Sequence, residues 1–416
     1  NNKVKEYLLS KEVIPFNVIL TLTIELFKKY NAIRTFYQQI YPIIIVDEFQ
    51  DTNILSYSLL NLLVSNETML YLYGDSLQRI YGFIGAIPKL IEKAQKDFYA
   101  KIIKLEKNYR FKDNKDMLLL DRNLRLMAIN PKSQFEELAN IKLYLTENQG
   151  KEAEYIAYLV KSLLDSDKKI AILTREKGNN IDKIIDVLDE KNLDYFYALF
   201  SDEDGSYKEL HREILNIFLD SIRNMKHLKK QLIKNIRDVY NAKQFRNVDD
   251  KLKKAILELF EIFWNKAVFG EYNFLDKEEK IRLIKDTLEN NALKQYLAYS
   301  EKRVVVTTVH GAKGLEWDCV ILPDMEQYSF PNWKGMCGEC KNRKGCEKDW
   351  QSEDIIPDEF SVFYVAVTRA KEKVYFTASG LGINSKGDQK ERNISCFLRL
   401  PCLNLVIQKV IQEWCD

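Results

Sequence analysis

The stretch YPIIIVDEFQDTN, Tyr41 to Asn53, decides the fold. Its apolar run Ile43–Val46 has the length and β-branching of a buried parallel strand. The run ends in Asp47-Glu48, so both carboxylates emerge at the strand's carboxyl end, where open α/β sheets bind ligands. Adjacent acids there can divide the labour. One holds Mg²⁺ through water, and the other polarises an attacking water. Taken alone, the segment reads by default as an acidic strand-to-loop turn, so its surroundings have to decide.

Working outward, residues 16–39 carry apolar side chains at helical spacing and read as amphipathic helix. Strand candidates then recur, each feeding a turn or helix: Ile43–Val46, Met69–Tyr73, Ile102–Leu105, Ile141–Leu145, Lys169–Thr174, Val304–Val309, Val320–Pro323 and Lys373–Ala378. Helical patterns such as Glu152–Leu164 and Asn180–Lys191 separate many of them, which predicts parallel α/β sheets. Between about Asp204 and Ser300 the strand signals stop, and Lys/Leu/Ile-rich helical segments suggest an insertion inside an α/β domain. The basic run Lys226–Arg237 reads as a solvated helix face.

Four further segments carry chemistry. In YLYGDSLQRIYGFIGA, Tyr71 to Ala86, a strand ends in Gly74-Asp75, and Gln78 follows where its amide can touch a γ-phosphate or an attacking water. Tyr81 and Phe83 share a face in extended backbone, as a base-stacking platform or as core rings. In LEKNYRF, Tyr109 can stack on a nucleobase and Arg110 can grip a phosphate, although the tripeptide also suits a plain exposed loop. In VVVTTVHGAKGLEWDCVILPDM, Gly311 and Gly314 let backbone approach a ligand. There Thr308, His310 and Lys313 offer donors, and Glu316 offers an acceptor for a ribose hydroxyl. In FYVAVTRAKEKVYFT, a helix ending at Thr368-Arg369 places Arg369 either as an arginine finger or in a surface ion pair.

The ordered set DEFQD, GDxxQxIYxFxGA, NYR, TxHxAKGLEW and YVAVTRAK closely resembles motifs II to VI of the UvrD/Rep/PcrA-like superfamily 1A helicases. Phe330-Pro331 after the fourth of these also matches. The resemblance implies a P-loop NTPase fold with two RecA-like parallel-sheet domains closing on ATP in a shared cleft, the first of them incomplete. It implies a domain layout of residues 1–112 (1A), 113–203 and 301–416 (2A), and 204–300 as a helical 2B-like insertion. It also implies a DNA-stimulated ATPase that moves 3′→5′ on single strands or 3′-tailed duplex. Carried over by motif, Asp47 is the Mg²⁺ ligand and Glu48 the general base. Gln78, Arg110 and Arg369 contact the γ-phosphate, with Arg369 reaching across from 2A. Tyr109, Gly314 and Glu316 meet the nucleotide, and Tyr81, Phe83, Thr308 and His310 meet the DNA.

The sequence departs from that pattern in three places. It contains no GxxxxGK[ST], the loop that cradles phosphates. The expectation is therefore a helicase fragment that cannot turn over ATP alone. The rivals are a non-hydrolysing nucleic-acid-binding subunit, or the motor of a nuclease-linked DNA repair or phage-defence system with its nuclease on a separate chain or upstream. Ile84 stands where the family commonly has Arg, and Phe83 where many relatives have Trp, which weakens the expected grip on DNA. Within a Cys-rich insert over 332–352, Cys337, Cys340 and Cys346 resemble a Zn²⁺ knuckle short of one ligand, with Cys319, Cys396, Cys402 or Cys415 to complete it; free thiols are the alternative.

Composition bounds the rest. Lys plus Arg number 63 against 61 Asp plus Glu, so any nucleic-acid footprint is local. Seven cysteines without a secretory pattern suit a reducing cytoplasm. No apolar run reaches the length of a membrane-spanning helix, and no membrane partner is expected.

Overall fold

The structure, a computed structural model, describes residues 15–82, 85–111, 114–223, 228, 230–335, 357–383 and 389–410. Phe83, Ile84, Cys337, Cys340, Cys346 and Cys415 lie outside them, and with them the zinc knuckle and half of the Tyr81/Phe83 platform. The chain forms two compact units, one of Asn1–Tyr109 with Asp354–Val365, the other of Arg110–Glu353 with Ala366–Asp416.

In the first unit, α1 (Phe16–Lys29) and α2 (Asn31–Ile40) replace the single helix expected over 16–39. The break falls at Tyr30, whose backbone is extended. Next come β1 (Ile43–Val46), α3 (Ile54–Leu63), β2 (Met69–Leu72) and α4 (Leu90–Asp97). Asn53 starts α3 by accepting hydrogen bonds from the N–H groups of Leu55 and Ser56 at 3.0 Å each. β1 and β2 pair in parallel, Ile43 opposite Met69 and Ile45 opposite Tyr71. The alternate residues Ile44, Val46, Leu70 and Leu72 pack on Phe49, Tyr57, Leu60, Leu90 and Ala94. The opposite face is bare: Ile43 is 49% exposed, Ile45 65%, Met69 51% and Tyr71 46%. A third strand was expected at Ile102–Leu105, but residues 101–108 form no regular element. Among the described residues the sheet of this unit holds β1 and β2.

The second unit holds α5 (Lys115–Ile129), β3 (Ala139–Asn148), α6 (Gln149–Asp165), β4 (Ile170–Thr174), α7 (Asn179–Glu190) and β5 (Phe196–Ala198). The helices α8 (Gly205–Ile222), α9 (Lys230–Ala242), α10 (Asp250–Trp264) and α11 (Lys277–Glu289) follow, with no strand among the described residues of this stretch. α11 begins at a capping box in which Asp276 and Glu279 satisfy each other's backbone N–H groups. Then come β6 (Val304–Thr308), β7 (Trp317–Leu322), α12 (Pro357–Val367), β8 (Ala370–Ile383), β9 (Gln389–Glu391) and β10 (Leu403–Lys409). α12 begins within the residues grouped with the first unit.

The sheet order is β10-β3-β8-β7-β4-β6-β5, all parallel, with β9 antiparallel on β8. Central β4 reads IAILT and is buried at every position, as a parallel strand covered on both faces must be. Of these strands, β5, β9 and β10 have no counterpart in the sequence reading.

A polar knot ties the loop after β7 to its neighbours. Glu152 of α6 accepts hydrogen bonds from the Thr377 hydroxyl at 2.6 Å and the Asp324 N–H at 3.1 Å. The Asn180 amide donates both to Glu152 and to the Asp324 carboxylate. Glu326 accepts from the Ser379 N–H at 2.7 Å and from its hydroxyl. Burial raises the Glu152 and Glu326 carboxyls, and burial with the neighbouring Glu152 pushes Asp324 up to about 8.

Candidate functional site

In the first unit, Asp47 and Glu48 leave the carboxyl end of β1, as the sequence requires. Glu48 adopts a left-handed backbone, φ +49°, which is costly for a non-glycine residue and turns its side chain out of the strand line. Its N–H donates to the Asp47 carboxylate at 2.9 Å. The buried Gln50 links this strand end to the next: its amide donates to Glu48 at 2.6 Å, and its carbonyl accepts the Asp75 N–H at 3.0 Å. Asp75, past the end of β2, accepts from the Gln78 amide at 3.1 Å. Gly74 makes room for the link, since a Cβ there would sit 2.8 Å from the Gln50 carbonyl oxygen.

Asp47, Glu48 and Gln78 therefore stand on one hydrogen-bonded chain across two adjacent strand ends. Gln50, quoted inside its motif without a role, is the buried joint of that chain. The hard oxygen donors of Asp47 and Glu48, both exposed, suit Mg²⁺ held partly through water. Tyr109 is exposed with the Lys107 ammonium 4.8 Å from its ring centre, and Tyr81 is half-buried.

In the second unit, β6 ends at Thr308, and the turn to β7 carries His310, Gly311, Lys313, Gly314 and Glu316. The Gly311 N–H donates to the Thr308 hydroxyl at 3.1 Å. A Cβ at Gly311 would meet Thr307 Oγ1 at 2.6 Å, and Gly314 sits at φ +82°, so both positions need glycine. His310 is half-buried on this turn, whereas His211 inside α8 is a core residue whose burial pushes it down to about 4.

Glu316 is the centre of an ion cluster. Arg110 Nε approaches one carboxylate oxygen at 2.8 Å and Lys371 Nζ the other at 2.9 Å. Arg110 also donates to the Thr368 carbonyl at 3.0 Å. Burial works to raise the Glu316 carboxyl, but Lys371 and Arg110 outweigh it and hold the group below the ordinary glutamate range.

Arg369 was placed by sequence at the end of a helix. The helix in fact stops at Val367, and Arg369 lies in the turn before β8, 1% exposed. It donates to the Leu315 carbonyl at 3.2 Å, while its own carbonyl accepts the Trp317 N–H. Lys371 had no role in the sequence reading, although it stands in the same TRAK motif. Lys371→Met is expected to raise the Glu316 carboxyl towards its ordinary value, which side-chain carboxyl NMR titration would read. An unmoved titration would remove Lys371 from the cluster.

Among the described residues no group of three or more His, Cys, Asp or Glu side chains is arranged to hold a metal ion. Cys319, Cys396 and Cys402, three of the candidates for a fourth zinc ligand, are buried free thiols.

Residues 2–99 match the family model for the UvrD/REP helicase N-terminal domain, and residues 198–380 match that for the UvrD-like helicase C-terminal domain. Curated relatives include a DNA helicase II from Rickettsia typhi, 26% identical, aligned over 89% of this chain and 65% of the relative. A probable DNA helicase II homolog from Mycoplasma genitalium is 24% identical over 95% of this chain and 63% of its own length. An ATP-dependent DNA helicase PcrA from Staphylococcus epidermidis is 25% identical over 88% and 59%. The chain thus spans less than two thirds of the length of these relatives.

Proposed function

Because the chain belongs to the UvrD-like helicase family, we propose that it is the body of an ATP-dependent motor that moves 3′→5′ on single-stranded DNA. The observation that carries this reading is the hydrogen-bonded chain from Glu48 through Gln50 and Asp75 to Gln78, beside Asp47. In it, Glu48 takes the proton of the attacking water, Gln78 senses the γ-phosphate, and Asp47 holds Mg²⁺. A bound Mg²⁺ would neutralise charge on the phosphate oxygens. Arg110 and Arg369 are the phosphate-directed cations, Glu316 and Gly314 take the ribose side, and Tyr109 stacks on the base. Tyr81, Phe83, Thr308 and His310 are the strand contacts.

This chemistry needs a phosphate-binding loop, and the sequence has no GxxxxGK[ST]. We place that loop on polypeptide outside these residues, so the chain by itself does not hydrolyse ATP. The exposed apolar face of the β1–β2 sheet supports the same view, since added structure would cover it.

The test is DNA-stimulated ATP hydrolysis by the chain alone and by the chain joined to the coding sequence that precedes it. Turnover only in the joined protein is expected when that sequence carries the loop. A joined protein with the loop and no turnover would favour the rival, a non-hydrolysing nucleic-acid-binding subunit. No described helix is long and apolar enough to cross a membrane.

A further inference from the structure

The loop after β7 carries an exposed tryptophan on a built base. Trp333 is 55% exposed, and its ring stacks on Tyr328 with centroids 5.6 Å apart and planes 23° from parallel. Under Tyr328 lies the Arg392 guanidinium, 5.0 Å from the ring centre. Tyr328 occupies the left-handed region at φ +75°, a strained backbone for a bulky residue and one that clusters at ligand sites.

The loop is pinned on all sides. Phe330 is fully buried and meets Phe397 edge-on, Glu326 is bound to Ser379, and the Asn332 amide donates to Glu176. Asn332 also accepts the Gly335 N–H at 2.9 Å, closing the turn around Trp333. With these anchors around it, Trp333 stacks on Tyr328 and still keeps more than half of its surface exposed.

The position of the stack narrows its ligand. In the parallel sheet the carboxyl ends of β4, β6 and β7 share one edge, with Thr174 in register with Thr308. The Asn332–Glu176 bond places the loop at the end of β4. That is the sheet edge carrying Thr308 and His310. An exposed aromatic ring at that edge is what single strands need, since every base offers a π-face, and Arg392 against Tyr328 supplies a positive charge to the stack.

We propose that Trp333, supported by Tyr328 and Arg392, is a base-stacking subsite for single-stranded nucleic acid. The proposal rests on the single-strand reading above and adds a contact residue that the motif comparison does not assign.

The test is fluorescence anisotropy of a labelled oligo-dT against the full chain, with Trp333→Ala, Trp333→Phe and an abasic oligomer of the same length. Trp333→Ala is expected to weaken oligo-dT binding by about 5- to 150-fold, the range of one lost base stack. Trp333→Phe should recover much of that loss. The abasic oligomer should bind the parent and Trp333→Ala alike. Equal oligo-dT binding by the parent and Trp333→Ala would overturn the subsite and leave the single-strand reading standing. An equal loss on the abasic oligomer would overturn stacking as the cause. A parent chain that binds no oligo-dT would overturn the single-strand reading itself, and this subsite with it.

Discussion

Glu48→Gln, made in a protein that joins this chain to a phosphate-binding loop, is expected to lower DNA-stimulated ATP turnover by roughly 10²- to 10⁴-fold, the usual contribution of a positioned general base. The substitution suits the question because it is nearly isosteric. The Gln50 amide donates to a Glu48 side-chain oxygen, and the carbonyl of a glutamine there can still accept that bond. Asp75 and Gln78 therefore keep their positions, and Asp47 keeps its carboxylate. Only the basicity is removed. Single-strand affinity and the melting temperature should not change, because Glu48 is exposed and lies outside the apolar cluster around Phe49 and Tyr57. Steady-state hydrolysis and oligonucleotide binding measured on one preparation decide the matter. Retained turnover would remove Glu48 as the base. Lost turnover together with lost folding would show that the link through Gln50 is structural first.

The residues most legible in the sequence are those whose chemistry is local. Asp47-Glu48 after Ile43–Val46, and Gly74-Asp75 with Gln78 after β2, each lie within one strand end and its turn, so spacing alone positions them. The turn from Thr308 to Glu316 is legible for the same reason. Side chains that acquire meaning only by tertiary contact were not. Lys371 looks like any surface lysine until β8 brings it against Glu316. Glu152, Asp324 and Glu326 come from α6 and the loop after β7, and no periodicity links them. Trp333 follows the recognised Phe330-Pro331 pair, but its stack requires Tyr328 and Arg392 to converge. The strand expected at Ile102–Leu105 does not form: its composition suits a strand, but β-propensity is a weak preference that context overrides, and residues 101–108 take no regular structure.

The buried acids predict a stability that falls as pH rises through neutrality. An Asp in the unfolded chain releases its proton near its ordinary value of 3.8, whereas folded Asp324 holds its proton up to about 8. Between those values the folded state binds more protons than the unfolded one, so raising the pH favours unfolding, by about 1.4 kcal/mol per unit for one proton. The contribution is therefore fully present below the unfolded value and is lost as pH climbs to about 8. From pH 6 to pH 8 the expected loss is roughly 2 kcal/mol, a large share of an ordinary domain's stability. The groups that set the effect are the carboxylates of Glu152 and Glu326, the Asn180 amide, and the more distant cations Arg392 and Lys183. Asp324→Asn removes the titrating group but keeps an acceptor for Asn180. It also puts at φ +56° a residue that tolerates the left-handed backbone. This variant should match the parent near pH 5 and melt higher at pH 8, with a flatter pH dependence. Groups outside the knot titrate alike in both proteins and cancel in the difference, whereas Glu326, whose carboxyl Asp324 helps to raise, shifts back towards its ordinary value and adds to the flattening. Parallel melting curves for parent and variant across pH 6 to 8 would mean that Asp324 is ionised in the folded protein and that the knot holds its negative charge unaided.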